Sequence, residues 1–131
     1  MLVETNGIKI HCELSGQTEA PVVVLSHSLG SSMVMWEPQL AVLEPVFHVL
    51  RYDMRGHGAS GVTKGAYSLE MLSQDVVGLL DALEIEKVHF VGLSIGGMLG
   101  QGLGVNHAQR LLSLTLCDTA PILPEEAKPL F

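Results

Sequence analysis

The sequence is short of charged and aromatic residues, and this shortage excludes several classes of protein. Charged residues make up 16% of the 131 residues and aromatic residues 5%, whereas a typical soluble protein carries about 25% charged residues. Disorder is excluded, because a disordered chain needs low hydrophobicity and 47% of this chain is hydrophobic. Seven Lys and Arg against fourteen Asp and Glu give a net charge of −7. This balance argues against a nucleic-acid binder and against electrostatic docking on anionic membranes.

The low charge also bears on assembly. A chain of this length forms one domain, and a small domain has a high ratio of surface to volume. Such a domain should need more polar residues than average, yet this one has fewer. We therefore expect part of its surface to be covered, by a second copy of the chain or by a portion of the fold that is missing.

Cysteine is almost absent, with Cys12 and Cys117 in separate apolar stretches and no C-x-x-C motif. This spacing favours two free, buried thiols in a reducing compartment, and a disulfide between them is the alternative. Residues 1–10 lack a basic region followed by an apolar core, so we expect no signal peptide. Together these features predict a cytoplasmic protein.

One uncharged stretch, residues 88–109, is long enough to span a bilayer. We nevertheless predict no membrane helix, because glycines recur through it, Gly96 and Gly97 lie at its middle, and its end is polar. The stretch is better explained as a strand, a sharp turn and a glycine-rich helix packed against a sheet.

The rest of the chain alternates between strand and helix patterns. Asn6-Gly7 between two short apolar runs predicts an antiparallel hairpin. Ser68 is a candidate cap for a helix whose acidic residues, Glu70, Asp75, Asp81 and Glu84, we assign to a solvated face. Further strands are predicted at residues 22–25, 46–52, 88–92 and 111–117, and helices at 36–43, 68–84 and 95–107. Strands alternating with helices predict an α/β fold with a mostly parallel sheet covered on both faces.

The strongest chemical signal is GLSIGG at residues 92–97, a G-x-S-x-G match between a predicted strand and a predicted helix. In this context the serine occupies a strained turn that displays its hydroxyl at the carboxyl edge of the sheet. The helix N-terminus adds partial positive charge where a carbonyl oxygen would lie. Ser94 is therefore the candidate nucleophile, and a glycine-rich turn with an incidental serine is the alternative.

Two further loops follow predicted strands. SHSLG at residues 26–30 can offer a main-chain N–H to an oxyanion, so Leu29 and Ile95 are the candidate oxyanion donors. An ordinary crossover turn is the alternative for that loop. DMRGHGAS at residues 53–60 brings Asp, Arg, His and Ser together, and we interpret it mainly as a hydrogen-bonded scaffold.

These motifs resemble the first half of an α/β-hydrolase, most closely the 3-oxoadipate enol-lactonase group of esterases. The matching stretches are LSHSLGSSMVMWEPQ, VLRYDMRGHGAS, FVGLSIGGMLGQ and LTLCDTAP. The resemblance implies one shortened α/β-hydrolase domain over residues 1–131, lacking the cap and the C-terminal strands. It implies hydrolysis of a small carboxylic ester or lactone through an acyl-enzyme on Ser94, with no metal and no organic cofactor. Relatives with an aspartate nucleophile are disfavoured, because a serine fills that position.

The sequence departs from the family pattern in the position of the histidine that would act as the general base. The family order is serine, acid, histidine, and the only histidine after Ser94 is His107, near the far end of the following helix. His27 is the candidate base by topology, although a structural loop histidine is the alternative for it. Asp118 is the candidate acid, His57 is a further local candidate for the base, and a neighbouring chain could also contribute a histidine.

Two classes of function remain open. The first is a compact serine esterase, from which a cofactor-free perhydrolase cannot be distinguished by sequence. The second is a non-catalytic or fragmentary module that binds a partner or awaits a missing half. Residues 111–117 resemble a strand buried on both faces that could be left as an apolar edge, so we predict a homo-oligomer, through that edge or through the apolar tail at residues 121–131.

Overall fold

The computed structural model describes residues 1–121, and within them six strands form one sheet in the order β1-β2-β4-β3-β5-β6. The strands from β3 to β6 run parallel, and β2 joins them antiparallel through β4. The strands are β1 (Leu2–Thr5), β2 (Ile8–Gly16), β3 (Val22–Ser26), β4 (His48–Tyr52), β5 (Val88–Leu93) and β6 (Leu111–Cys117). The helices are α1 (Glu37–Leu43), α2 (Leu69–Ala82) and α3 (Ile95–Asn106), with 3₁₀ turns at Met33–Trp36 and Ala108–Arg110. The predicted α/β fold is confirmed.

The N-terminal hairpin forms where the sequence predicts it. Asn6 and Gly7 both have positive φ, at 46° and 82°, which is the geometry of a two-residue hairpin turn whose twist matches that of the strands. The turn sets the register, in which Thr5 lies opposite Ile8.

Helix α2 begins at the predicted cap, since the Ser68 Oγ accepts a hydrogen bond from the Met71 N–H at 3.0 Å. Its apolar stripe is buried against the sheet. The expectation that all four of its acidic residues face solvent is wrong for Asp75, whose side chain is only 3% exposed and pairs with Arg55. The stripe and Asp75 share the buried side because helical residues three and four apart lie on one face.

Two hydrophobic clusters cover the two faces of the sheet. Alternate residues of one strand point in opposite directions, so Val24 joins the cluster with α2 and α3, while Val23 and Leu25 join the cluster under α1. Both strands beside β3 follow the same alternation. This arrangement confirms that helices lie on both faces, and it leaves the carboxyl ends of the parallel strands at one edge.

Strand β6 is less buried than predicted. It pairs with β5 alone among the described residues, and none of its residues is fully buried. Leu112 and Leu116 are 50% and 43% exposed. Burial on both faces is therefore wrong for residues 111–117, whereas the predicted apolar edge is present, since no described strand pairs with the outer side of β6. The tail proposed for association lies outside the described residues beyond Pro121.

The uncharged stretch at residues 88–109 divides into β5 and α3, as predicted. No helix among residues 1–121 has the length and hydrophobicity needed to cross a membrane. Cys12 and Cys117 are both free, as predicted, but the expected burial of both thiols is wrong for Cys117. Cys12 is buried and burial raises the pKa of its thiol, whereas Cys117 is only half-buried.

Candidate active site

Ser94 is the single residue between β5 and α3, and it has a backbone conformation that few non-glycine residues adopt. Its φ is 55° and its ψ is −116°, and its side chain makes no capping hydrogen bond to the helix. Such a conformation costs about 1–3 kcal/mol and persists only where its surroundings enforce it. The enforcing contacts are to the end of β6 and the segment that follows it: the Ser94 N–H donates to the Cys117 carbonyl at 3.0 Å, and the Thr119 Oγ1 donates to the Ser94 carbonyl at 2.7 Å.

The glycines around Ser94 allow β5, the first turn of α3 and the end of β3 to lie in close contact. A Cβ at Gly92 would collide with the carbonyl of Gly96, and a Cβ at Gly96 would collide with the carbonyl of Ser26. Only glycine therefore lets the first turn of α3 approach both its own strand and the end of β3. As a result the N-terminus of α3 lies against the loop that carries Leu29.

The two candidate oxyanion donors are main-chain N–H groups in this region. Ile95 is the first residue of α3, so its N–H has no partner within the helix. Neither the Ile95 N–H nor the Leu29 N–H donates a hydrogen bond to any of the residues 1–121. The positive end of the helix dipole also lies at Ile95, which favours a negative charge there.

His27 is bonded to the main chain through both ring nitrogens. Its Nε2 accepts the Met54 N–H at 2.9 Å, and its Nδ1 lies 2.8 Å from the Ser28 carbonyl. Because a carbonyl oxygen can only accept, Nδ1 carries the proton. The side chain is buried, and burial lowers the pKa of His27. In this arrangement neither nitrogen is free to accept the Ser94 proton, which favours the alternative of a structural loop histidine over the candidate base.

His57 is held in the same way. Its Nε2 accepts the Gly30 N–H at 3.0 Å, and its Nδ1 lies 3.1 Å from the Arg55 carbonyl. Its ring centroid is 5.0 Å from that of His27. Both histidines therefore join the loop after β3 to the loop after β4, and both of their rings are occupied by main-chain groups.

The other histidines lie away from Ser94. His11 is on β2, three strands from β5 and so about 14 Å across the sheet. His48 and His89 are at the amino ends of β4 and β5, on the opposite edge. His107 follows α3, about 18 Å along the helix axis from its start.

The loop at residues 53–60 is a hydrogen-bonded scaffold, as predicted. Asp53 accepts the N–H groups of Met33 and Ala59 at 2.8 and 3.0 Å, and its Oδ2 lies 2.9 Å from the His11 Nδ1. Burial on its own would raise the pKa of Asp53, but these hydrogen bonds and the neighbouring His11 together lower it. The carboxylate is thus committed to holding the loop.

Asp118 lies at the rim of the candidate site. It is exposed, has a φ of 41°, and stands between the two residues that hold the Ser94 main chain. Its side chain makes no hydrogen bond to any described residue, so it is available to orient another group. The neighbouring Thr119 was not among the predicted site residues, although it lies in the matching stretch LTLCDTAP, because its role depends on where β6 ends.

The described part of the chain contains no group of three His, Cys, Asp or Glu side chains placed to hold a metal ion. The chemistry available at this edge is that of a serine hydroxyl, two main-chain donors and one free carboxylate.

Fold and site together define a class of protein. Residues 21–130 match the family model for the alpha/beta hydrolase fold, and the chain belongs to that family. Over 120 residues it is 41% identical to 3-oxoadipate enol-lactonase 1 of Acinetobacter baylyi. The aligned region covers 92% of this chain and 45% of the relative.

Solved structures agree with this assignment. A hydrolase from Pseudomonas aeruginosa PA01 matches with a TM-score of 0.94 and 44% identity, over 98% of this chain and 49% of that one. The enol-lactonase from Burkholderia xenovorans LB400 matches with a TM-score of 0.90 and 46% identity, over 92% of this chain and 47% of that one. The resemblance seen in the sequence is confirmed, and the chain spans about half the length of the relatives it matches.

Proposed function

We propose that this chain carries the nucleophile of a hydrolase that cleaves small carboxylic esters or lactones through an acyl-enzyme on Ser94. The observation that supports it most is the strained backbone of Ser94 at the start of α3. The Ile95 N–H that follows it, and the Leu29 N–H on the loop near the start of α3, have no partners among the described residues. Two of the relatives are enol-lactonases, which favours a lactone over an open ester.

In the proposed reaction the Ser94 Oγ attacks the substrate carbonyl and gives its proton to a base. The N–H groups of Leu29 and Ile95 stabilise the oxyanion, and a single donor of this kind is worth about 10²–10³ in kcat. The C–O bond then breaks, and the leaving oxygen takes up the proton from the base. In a lactone that oxygen stays attached to the acyl group. Water releases the acyl group by the reverse sequence, with the base removing its proton.

In the described arrangement, none of the six histidines of the chain supplies this base. We place it on a histidine contributed by another polypeptide segment, such as a neighbouring chain, and assign Asp118 to orient it. The exposed carboxylate beside the Ser94 main chain supports that assignment. Without the base, the oxyanion donors and substrate binding alone would sustain a weaker reaction.

The test is turnover of p-nitrophenyl acetate and a small lactone by the purified chain and by Ser94→Ala. Ser113→Ala, an exposed serine on β6, is the matched control. We expect turnover and an acetylated intact mass in the wild type and in Ser113→Ala, and neither in Ser94→Ala. Equal rates in all three proteins would remove Ser94 from the reaction.

The non-catalytic module is the second candidate, and the engagement of both loop histidines by the main chain is the observation in its favour. A fluorophosphonate probe separates the two candidates, because it labels only an activated serine hydroxyl. Labelling at Ser94 supports the hydrolase. A chain that stays unlabelled, alone and with a histidine-bearing C-terminal half of an enol-lactonase added, supports the module.

A further inference from the structure

We propose that Thr119 is a positioning residue that keeps the Ile95 N–H directed at the oxyanion. This inference rests on the proposed function, because it assigns a role within the same site. It gives a role in the reaction to a side chain outside the predicted site residues, through the bond that the Thr119 Oγ1 donates to the Ser94 carbonyl at 2.7 Å.

The Ser94 carbonyl and the Ile95 N–H belong to one peptide unit. A peptide unit is planar, and in its trans form the C=O and the N–H point in opposite directions, so holding the carbonyl also directs the N–H. All peptide bonds of residues 1–121 are trans. The Ile95 N–H has no partner among those residues, so its direction depends on the bonds at the carbonyl end of the unit. Thr119 makes one of these bonds.

The other bond at the Ser94 carbonyl comes from the helix itself. The Met98 N–H donates to this oxygen at 3.1 Å, and a carbonyl oxygen has room for two donors. The Met98 bond spans Gly96 and Gly97, which have more conformational freedom than any other residue type. It therefore ties the unit only to a flexible first turn. Thr119 lies outside α3, so its bond fixes the same unit relative to the end of β6.

The strained backbone of Ser94 explains why the unit needs this second bond. A residue with a φ of 55° and a ψ of −116° is held in a sparsely populated conformation that its surroundings must enforce. Rotation of the peptide unit after Ser94 would relieve the strain. The same rotation would turn the Ile95 N–H away from the substrate, and the bond from Thr119 opposes it.

Gly97 lets Thr119 approach closely enough to make this bond. A Cβ at Gly97 would lie 2.8 Å from both the Cβ and the Cγ2 of Thr119, and 2.9 Å from its Oγ1. A larger residue at this position would therefore push the hydroxyl away from the Ser94 carbonyl. The glycine that admits Thr119 also weakens the first turn of α3, because glycine has a low helix propensity.

Thr119 is itself held by bonds on either side of it. The Cys117 carbonyl accepts the Ser94 N–H at 3.0 Å, and the Ala120 carbonyl accepts the Gln101 Nε2 at 3.0 Å. These two bonds attach the segment after β6 to the start of α3 and to its second turn. The Thr119 hydroxyl therefore acts from a segment whose position is fixed.

The experiment compares Thr119→Val, Thr119→Ser and the control Thr115→Val in the full chain. Valine keeps the shape of threonine without its hydroxyl, serine keeps the hydroxyl, and Thr115 is exposed on β6. Amide relaxation of Ile95 by NMR is the first measurement. In Thr119→Val we expect its order parameter to fall below the rigid value of about 0.85 or microsecond-to-millisecond exchange to appear. The amide should be rigid in Thr119→Ser and in Thr115→Val.

Turnover of p-nitrophenyl acetate is the second measurement. We expect kcat to fall about threefold to thirtyfold in Thr119→Val, less than the loss of a whole donor, with KM changed less than about twofold. The value should recover in Thr119→Ser and stay unchanged in Thr115→Val. A purely structural role would lower the free energy of unfolding of Thr119→Val and leave the Ile95 amide and kcat as they are.

Three results would overturn the inference. The first is a folded Thr119→Val whose Ile95 amide is as rigid as in the wild type. The second is an unchanged kcat in that variant when the wild type has Ser94-dependent turnover. The third is an Ile95 amide as mobile in Thr119→Ser or in Thr115→Val as in Thr119→Val, because the hydroxyl of Thr119 would then not be the cause.

Two other outcomes are also decisive. If the wild type has no Ser94-dependent turnover, the proposed function fails, and the relaxation of Ile95 alone decides whether Thr119 holds this donor. If Thr119→Val does not fold, the hydroxyl proton of Thr119 decides it in the wild type. A hydroxyl resonance protected from exchange with water, together with a rigid Ile95 amide, supports the inference. An unprotected hydroxyl or a mobile Ile95 amide overturns it.

Discussion

At the scale of single residues, the candidate site depends on neutral histidines that accept from the main chain. His27 and His57 each use Nε2 as an acceptor and Nδ1 as a donor. This use is possible only in the uncharged ring, because a protonated imidazole has two donors and no acceptor. The ring nitrogens that a general base would use thus hold the two loops in position here.

The neutral state of His27 predicts a pH dependence of stability. Burial lowers the pKa of His27 from its usual 6.5, and the nearby His57 lowers it further, while the bond to Ser28 and the charge of Asp53 partly oppose this. The unfolded chain therefore binds the proton more readily than the folded one. The free energy of unfolding should be at its full value above pH 6.5 and should decrease as the pH falls below it.

Urea unfolding between pH 7.5 and pH 5.5 measures this effect, with His27→Gln as the comparison, because its amide oxygen accepts without titrating. The wild type should lose stability over that range by more than His27→Gln does. A ring titration of His27 by NMR provides an independent measurement and should have its midpoint below 6.5. The assignment of a lowered pKa to His27 would be refuted by two results together: an equal change of unfolding free energy with pH in the two proteins, and a His27 titration midpoint at or above 6.5.

At the scale of elements, a buried ion pair connects the loop after β4 to α2. The guanidinium of Arg55 donates to both oxygens of Asp75 at 2.8 and 2.9 Å, and the Asn6 Nδ2 donates to the same carboxylate. The Asp75 bond raises the pKa of Arg55. The pair joins the hairpin turn, the loop and the helix at one point, so three elements depend on it.

Two aspartates of α2 allow a matched test of that pair. In Asp75→Asn the buried Arg55 loses its counter-charge, and we expect a loss of about 3–5 kcal/mol in the free energy of unfolding. Asp81 pairs with Arg110 but is 62% exposed, so Asp81→Asn should cost less than about 1 kcal/mol. Chemical denaturation of both variants measures this difference. Similar losses of unfolding free energy in the two variants would show that burial of the Arg55–Asp75 pair adds nothing to stability.

At the scale of the whole molecule, the outer edge of β6 is the main exposed feature. Leu112 and Leu116 lie four residues apart on this strand and are 50% and 43% exposed. The strand also presents unpaired main-chain groups on the side away from β5, as far as the described residues extend. An apolar edge of this kind pairs readily with another strand.

We therefore expect a second copy of the chain to associate through β6. Sedimentation over the micromolar range should show a species heavier than the 14.0 kDa chain. Leu112→Lys should weaken the association by placing a charge at the edge. Val42→Lys, at a position 75% exposed on α1, should leave it unchanged. A monomer at all concentrations, or equal effects of the two lysines, would reject association through this strand.

Local features of the molecule were determined by the sequence alone. The Asn6-Gly7 turn, the Ser68 cap and the glycines around Ser94 are encoded by neighbouring residues, because backbone conformation and first-turn hydrogen bonds are decided within a few positions. The alternation of strands and helices predicted the parallel sheet because a helix between two strands provides the crossover that parallel strands need. The family resemblance followed from those local motifs in their order.

Only the tertiary structure decided the partners of polar side chains. Asp75 was expected to be a solvated acid, and the fold placed Arg55 against it. For His27 the sequence left a base and a structural loop histidine open, and the fold brought Met54 and Ser28 to its ring, which favours the second. The apolar stretch of β6 predicted an edge strand, but only the fold decided how far its residues are exposed. Burial and hydrogen-bond partners depend on residues distant in sequence, and no local pattern specifies which of them will meet.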